Sequence, residues 1–156
     1  MDGQGLFLQP GFIYASHEKM LLYTVLGSCV SVCLWDKQGE YGGMNHFIIP
    51  RKEKHSSSAR YGDVAVRYLI KLMRELGSNK HDLIAHIIGG ATNRAFDSNI
   101  GLENALVAEE ALTKYGIDIV TRDVGGTVGK KVVFNTATGE VLVYKSMRVR
   151  KDDWYK

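Results

Sequence analysis

The feature that most limits what this chain can fold into is a run over residues 20–35 that holds no Asp, Glu, Lys or Arg and is interrupted by Gly27-Ser28. A membrane-crossing helix needs roughly 20 mostly apolar residues, so a run of 16 with a Gly-Ser break is too short to insert. Its β-branched and aromatic content, with Tyr23, Val25, Val30, Val32 and Trp35, favours strands instead. The break reads as a turn between two strand segments. Alternation over 29–35 sets Cys29, Ser31 and Cys33 on one face and Val30, Val32 and Leu34 on the other, the apolar face being the expected core face. Asp36-Lys37-Gln38-Gly39 has hairpin-turn composition, and a returning strand over 41–49 carries His46 and stops at Pro50.

Residues 51–60 lack large apolar side chains and read as an exposed loop. Beyond it, Ala65, Leu69, Leu72, Met73 and Leu76 recur at helical spacing, with Gly77 at the stop, which predicts a helix over 61–76. A buried strand over 83–88 runs into Gly89-Gly90, a second helix over 101–115 is closed by Gly116, and a strand is expected over 117–123. Strands over 131–135 and 141–145 flank Ala137-Thr138-Gly139, a hairpin signal. This order predicts a layered α+β sandwich with mixed, largely antiparallel sheets and two main helices, and 156 residues suit one domain over 1–156.

Charge narrows the partners. Lys145, Arg148, Arg150, Lys151 and Lys156 against Asp152 and Asp153 place the whole formal charge of +3 in the C-terminal tail and leave the body neutral. A nucleic-acid-binding face would need cations spread across the fold, so none is expected. The tail is either a solvated end or a contact for an acidic partner. With two cysteines and no secretory signal pattern, the expected compartment is the reducing cytoplasm, without membrane insertion.

The local pattern richest in chemistry is Thr24-Val25-Leu26-Gly27-Ser28-Cys29, with His46 following on the next strand. A nucleophilic thiol needs exposure at the end of an element and a base within hydrogen-bond reach that can also protonate a leaving group. The Gly-Ser turn offers the exposure, nearby backbone N–H groups offer an oxyanion site, and a hairpin offers the approach of His46. The alternative for Cys29 is ordinary packing, since free cysteine is among the most buried residue types. For Cys33, embedded between Val32 and Leu34, packing is the expectation.

A strand separates Cys29 from Cys33 by about 13 Å, beyond the roughly 7 Å that a disulfide tolerates. No Cys-x-x-Cys or His-x-x-x-His spacing supports a metal site, and none is expected. The other histidines, His17, His55, His81 and His86, form no ligand pattern. Gly89-Gly90-Ala91-Thr92-Asn93 lacks the dinucleotide fingerprint. The segment Val124-Gly125-Gly126-Thr127-Val128-Gly129-Lys130-Lys131 has Val where a phosphate loop needs its first Gly and Lys where it needs Ser or Thr. Both glycine clusters read as tight turns, and no cofactor is expected. Gly89-Gly90 is also small enough to let a substrate backbone approach.

These pieces together resemble the CheD family of chemoreceptor glutamine deamidases. The resemblance lies in Leu26-Gly27-Ser28-Cys29-Val30-Ser31-Val32-Cys33-Leu34-Trp35-Asp36, Gly43-Met44-Asn45-His46 and Pro50. It continues in Gly89-Gly90-Ala91, Ile100-Gly101-Leu102-Glu103-Asn104, Asp123-Val124-Gly125-Gly126, Gly129 and Thr138-Gly139, and spans about residues 10–145. It implies hydrolysis of glutamine side-chain amides on receptor cytoplasmic helices, a three-layer αβ sandwich like that of toxin deamidases, and in some species a CheC-type phosphatase partner. Some members are adaptors that bind receptors or that phosphatase. Carried over residue by residue, the resemblance makes Cys29 the nucleophile, His46 the base and acid, and Thr24 the third catalytic residue. Simple alternation sets Thr24 on the face opposite Cys29, so its role requires the Gly27-Ser28 turn to reset the parity. The tail over 146–156 falls outside the resemblance.

Overall fold

A computed structural model describes residues 5–51, 55–92 and 99–146. Among the described residues, nine strands form two sheets. The first holds β1 (Gly5–Phe7), β3 (Leu21–Leu26), β8 (Gly129–Asn135) and β9 (Val141–Ser146), in the order β1-β3-β8-β9. The second holds β2 (Ile13–Ser16), β5 (Tyr41–Asn45), β4 (Val30–Asp36), β6 (Leu83–Gly89) and β7 (Asp118–Val124), in the order β2-β5-β4-β6-β7. Among these described strands, β1–β3 and β6–β7 pair in parallel and the rest antiparallel. Helices α1 (Gly62–Glu75) and α2 (Ile100–Lys114) cover the outer face of the second sheet. The layers therefore run sheet, sheet, helices, which is the α+β sandwich expected. Among the described residues no helix is long and apolar enough to cross a membrane.

The middle sheet explains the second half of the charge-free run. Val30, Val32 and Leu34 on β4 pack toward the helices with Leu69, Met73 and Leu112. Cys33 packs the other way, with Leu22, Met44, Phe134 and Ile88 between the sheets. The expectation of one core face on β4 is corrected: both faces are buried, because the sheet is covered on both sides. Each fully buried Leu, Val, Ile, Phe or Met contributes roughly 1.5–3 kcal/mol over its exposed state, so a charge on either face of β4 would be destabilising.

The Gly27-Ser28 break is a passage between sheets, with β3 in one and β4 in the other. Across the Asp36 turn, β4 and β5 pair antiparallel, and Asp36 Oδ1 accepts from the backbone N–H groups of Gln38 and Gly39 at 2.8 Å each. The returning strand is shorter than the 41–49 expected. It ends at Asn45, whose side-chain Oδ1 takes the Val32 N–H at 2.8 Å in place of a backbone partner. One more pair follows, Val30 with Phe47, which exchange both backbone hydrogen bonds. Helix boundaries fall within a residue of expectation, with Gly77 and Gly116 at positive φ of 111° and 72° past the two ends.

Candidate active site

Three backbone segments meet where β3 gives way to β4. The carbonyl of Gly27 accepts from Ala91 N at 3.0 Å, and that of Cys29 accepts from Gly90 N at 2.8 Å. Between them, the Ser28 carbonyl accepts from Asn104 Nδ2 at 2.9 Å. The turn carrying Cys29 is thus tied at three successive carbonyls although it belongs to no regular element. Gly89 makes this possible: at φ 116° a Cβ there would collide with the Cys29 carbonyl. What the Gly89-Gly90 turn admits closely is the chain's own Cys29 segment.

Cys29 is 5% exposed and belongs to the inter-sheet cluster with Leu26, Met44 and Ile88. The expectation of a thiol exposed at the mouth of a strand is corrected to a thiol lying at the sheet junction just below the surface. Cys33, four residues further along on the same side, is fully buried, and burial pushes its thiol well above the ordinary range. It stays protonated, as an inert packing residue does. The two cysteines form no disulfide.

His46 follows β5 directly. Its backbone N–H donates to Phe12 O at 3.3 Å and its carbonyl accepts from Gly11 N at 2.7 Å, which fixes the residue from the β2 side. Because Val30 and Phe47 pair, the register puts Cys29 diagonally across from His46 on the inter-sheet side. Diagonal partners in an antiparallel pair have backbones about 7–8 Å apart, within reach of side chains.

Thr24 reaches the same place from the other sheet. Residues Leu22, Thr24 and Leu26 of β3 alternate inward and are all buried. Alternation along β3 does not carry into β4, because the strands belong to facing sheets and each turns one of its faces toward the other. Thr24 Oγ1 donates to Leu8 O at 2.6 Å and lies 2.8 Å from His46 Nδ1. A threonine hydroxyl has one proton, and the Leu8 carbonyl can only accept it. Oγ1 must then accept from Nδ1–H, so hydrogen-bond accounting assigns the lone pair of the imidazole to Nε2. That atom is buried and has no hydrogen-bond partner. Burial holds the imidazole down at about 4, against a partial offset from the Leu8 carbonyl, so the ring is neutral at pH 7.

The structure thus joins Thr24 to His46 and sets Cys29 beside them in register. Sequence reasoning missed Asn104 as a contributor. Its signals were its place in the 100–104 segment of the resemblance and a polar side chain on the buried face of α2, in line with Gly101, Ala108 and Leu112. Ser31, facing His46 across the β4–β5 register, also keeps a buried Oγ without a partner. The remaining histidines lie elsewhere, with His17 on the Leu76 carbonyl and His86 between Thr121 and Gly139. Among the described residues no group of three His, Cys, Asp or Glu could hold a metal ion. The basic tail from Arg148 onward lies outside the described residues.

Two stacked sheets with a helix layer define an α+β protein, in which a thiol, an imidazole and a hydroxyl come from segments that meet at the sheet junction. The family model described as CheD, chemotactic sensory transduction, matches residues 48–145. A probable chemoreceptor glutamine deamidase CheD of Rhodospirillum rubrum is 43% identical over 140 residues, 88% of this chain and 80% of that protein. Its counterpart in Trichlorobacter lovleyi is 39% identical over 141 residues, 88% of each chain, and that of Sulfurimonas denitrificans is 31% identical over 148 residues, 92% of this chain and 95% of its own. The chain belongs to the CheD family. The family model begins after His46, but the relatives match too large a share of the chain to leave out residues 24–46.

Proposed function

We propose that this single-domain chain is a chemoreceptor glutamine deamidase, a cofactor-free thiol amidohydrolase that converts glutamine side chains of receptor cytoplasmic domains to glutamate and ammonia. Family membership supplies the substrate class. The observation that carries the chemistry is the Thr24–His46 contact, which leaves the Nε2 lone pair without a partner on the residue diagonal to Cys29 in the strand register. In the first step Nε2 takes the thiol proton while Sγ attacks the amide carbon. The tetrahedral intermediate collapses as His46 returns that proton to the leaving nitrogen, which departs as ammonia and leaves a γ-glutamyl thioester on Cys29. Water then attacks the thioester with Nε2 as base, the C–S bond breaks, and the proton on His46 restores the thiol. Thr24 holds the ring in the tautomer that makes Nε2 basic. The protein works in the cytoplasm, where receptor signalling domains lie, and a CheC-type phosphatase is its second partner.

One observation favours an adaptor role instead: Cys29 is only 5% exposed. Ammonia release from a purified receptor cytoplasmic domain separates the two. Cys29→Ala is expected to abolish release while leaving receptor binding in place. Release at the wild-type rate from Cys29→Ala would end the deamidase reading, and binding without release by the wild type would establish the adaptor.

A further inference from the structure

The segments that carry the thiol and the imidazole are bridged by one side chain that belongs to neither. Asn104, in the first turns of α2, is fully buried, and its Nδ2 donates to the carbonyls of Ser28 and Ile48 at 2.9 Å each. Ser28 precedes Cys29, and Ile48 lies two residues past His46. The two acceptors settle the orientation of the amide, since an oxygen in that place would face two other oxygens.

The bridge stands where the backbone ladder gives out. Val30 and Phe47 form the last pair, after which the strands part: Cys29 O turns to Gly90 N, and Ile48 N turns to Arg60 O at 2.9 Å. Asn104 spans the opening just past that pair, in place of a ladder bond. In a trans peptide the C=O and the following N–H point in opposite directions, so holding the Ser28 carbonyl also fixes the direction of the Cys29 N–H. The arrangement is costly in packing, because Asn104 lies on the apolar face of α2 and its Oδ1 is buried without a hydrogen-bond partner. An alanine or leucine would suit that face better if packing were its only task.

We propose that Asn104 is a positioning residue, which holds the Cys29 turn against the His46 segment and thereby sets the spacing of thiol and imidazole. The inference rests on the thiol–imidazole reading above. It is tested on the full chain with Asn104→Ala and with Asn104→Ser, whose single short donor cannot bridge two carbonyls. Two quantities are followed: ammonia release from a receptor cytoplasmic domain, and the pH profile of Cys29 alkylation by iodoacetamide, located by mass spectrometry. Loss of alignment is expected to lower kcat about a hundredfold with KM nearly constant, and to move the alkylation profile of Cys29 to higher pH while Cys33 stays unlabelled. A role in stability alone would lower Tm and leave kcat per folded molecule and the profile unchanged, and that result overturns the proposal. If Asn104→Ala does not fold, a wild-type rate and profile in Asn104→Ser overturns it equally. A wild-type chain that releases no ammonia sinks the deamidase reading instead, and the alkylation profile then decides the case of Asn104 alone.

Discussion

Two buried histidines in this molecule have almost the same surroundings and opposite outcomes. His46 and His86 each place Nδ1 2.8 Å from a threonine hydroxyl, Thr24 and Thr121. Both imidazoles are lowered in pKa, first by burial. The difference lies at the other nitrogen. His86 Nε2 lies 2.8 Å from the Gly139 carbonyl, which can only accept, so Nε2 carries the proton and Nδ1 spends its lone pair on Thr121. At His46 the Leu8 carbonyl takes the threonine proton, Nδ1 must donate, and the lone pair at Nε2 is left over. One carbonyl, placed on the threonine rather than on the ring, separates a ring with an unshared lone pair from a structural crosslink.

The largest effect that follows concerns turnover. Removing a general acid and base costs on the order of a thousandfold in rate, so His46→Ala is expected to lose that much kcat for ammonia release. His86→Ala should unfold more easily in urea and keep the wild-type kcat per folded molecule. Equal losses of kcat from both variants, with the fold intact by near-UV circular dichroism, would break the comparison.

The next effect is on stability. An imidazole held at about 4 in the fold and near 6.5 when unfolded is neutral in the native state while the unfolded chain takes up a proton. The contribution of His46 is therefore full above pH 6.5, declines as pH falls toward 4, and is flat below that, for a total of about 3 kcal/mol. His86 pulls in the same direction. Urea unfolding from pH 7.5 down to 4 should show a shallower decline in His46→Gln than in the wild type. An identical decline would mean that the ring titrates in the fold at its ordinary value.

Much of this was legible in the residues, and the exceptions have one physical root. Val30, Val32 and Leu34, the Asp36 turn, both helices and the hairpin at Gly139 announce themselves because each signal is local: alternation, a turn composition, a glycine stop. Two short strands, β1 and β2, escaped because three and four residues with exposed or half-buried side chains carry no period. The parity of Thr24 was misleading for another reason. Alternation is a property of one strand, and no local signal says that Gly27-Ser28 hands the chain from one sheet to its neighbour. The same long-range packing lowered Cys29 from the expected exposed position and brought Asn104, 76 residues from Ser28, to the turn beside it. Residue types that suit the chemistry could be picked out from the sequence; the carbonyls of Leu8, Ser28 and Ile48 that orient them could not, because every residue has one.

The smallest effect is the sharpest probe of the contrast between the two rings. Thr24→Val and Thr121→Val are isosteric and each removes one hydroxyl, which is worth about 1 kcal/mol of hydrogen bonding. At Thr121 the loss falls on His86 Nδ1, a lone pair without catalytic use, and the expected result is a modest drop in urea midpoint with kcat unchanged. At Thr24 the same loss frees the Nδ1 proton of His46 and lets the ring adopt the other tautomer, in which Nε2 carries the hydrogen and cannot receive one from the thiol. The cost should then appear in turnover, as about a tenfold fall in kcat with KM held. If Thr24→Val merely lowers the urea midpoint as Thr121→Val does, the hydroxyl anchors Leu8 to the sheet junction and has no hold on the proton of His46.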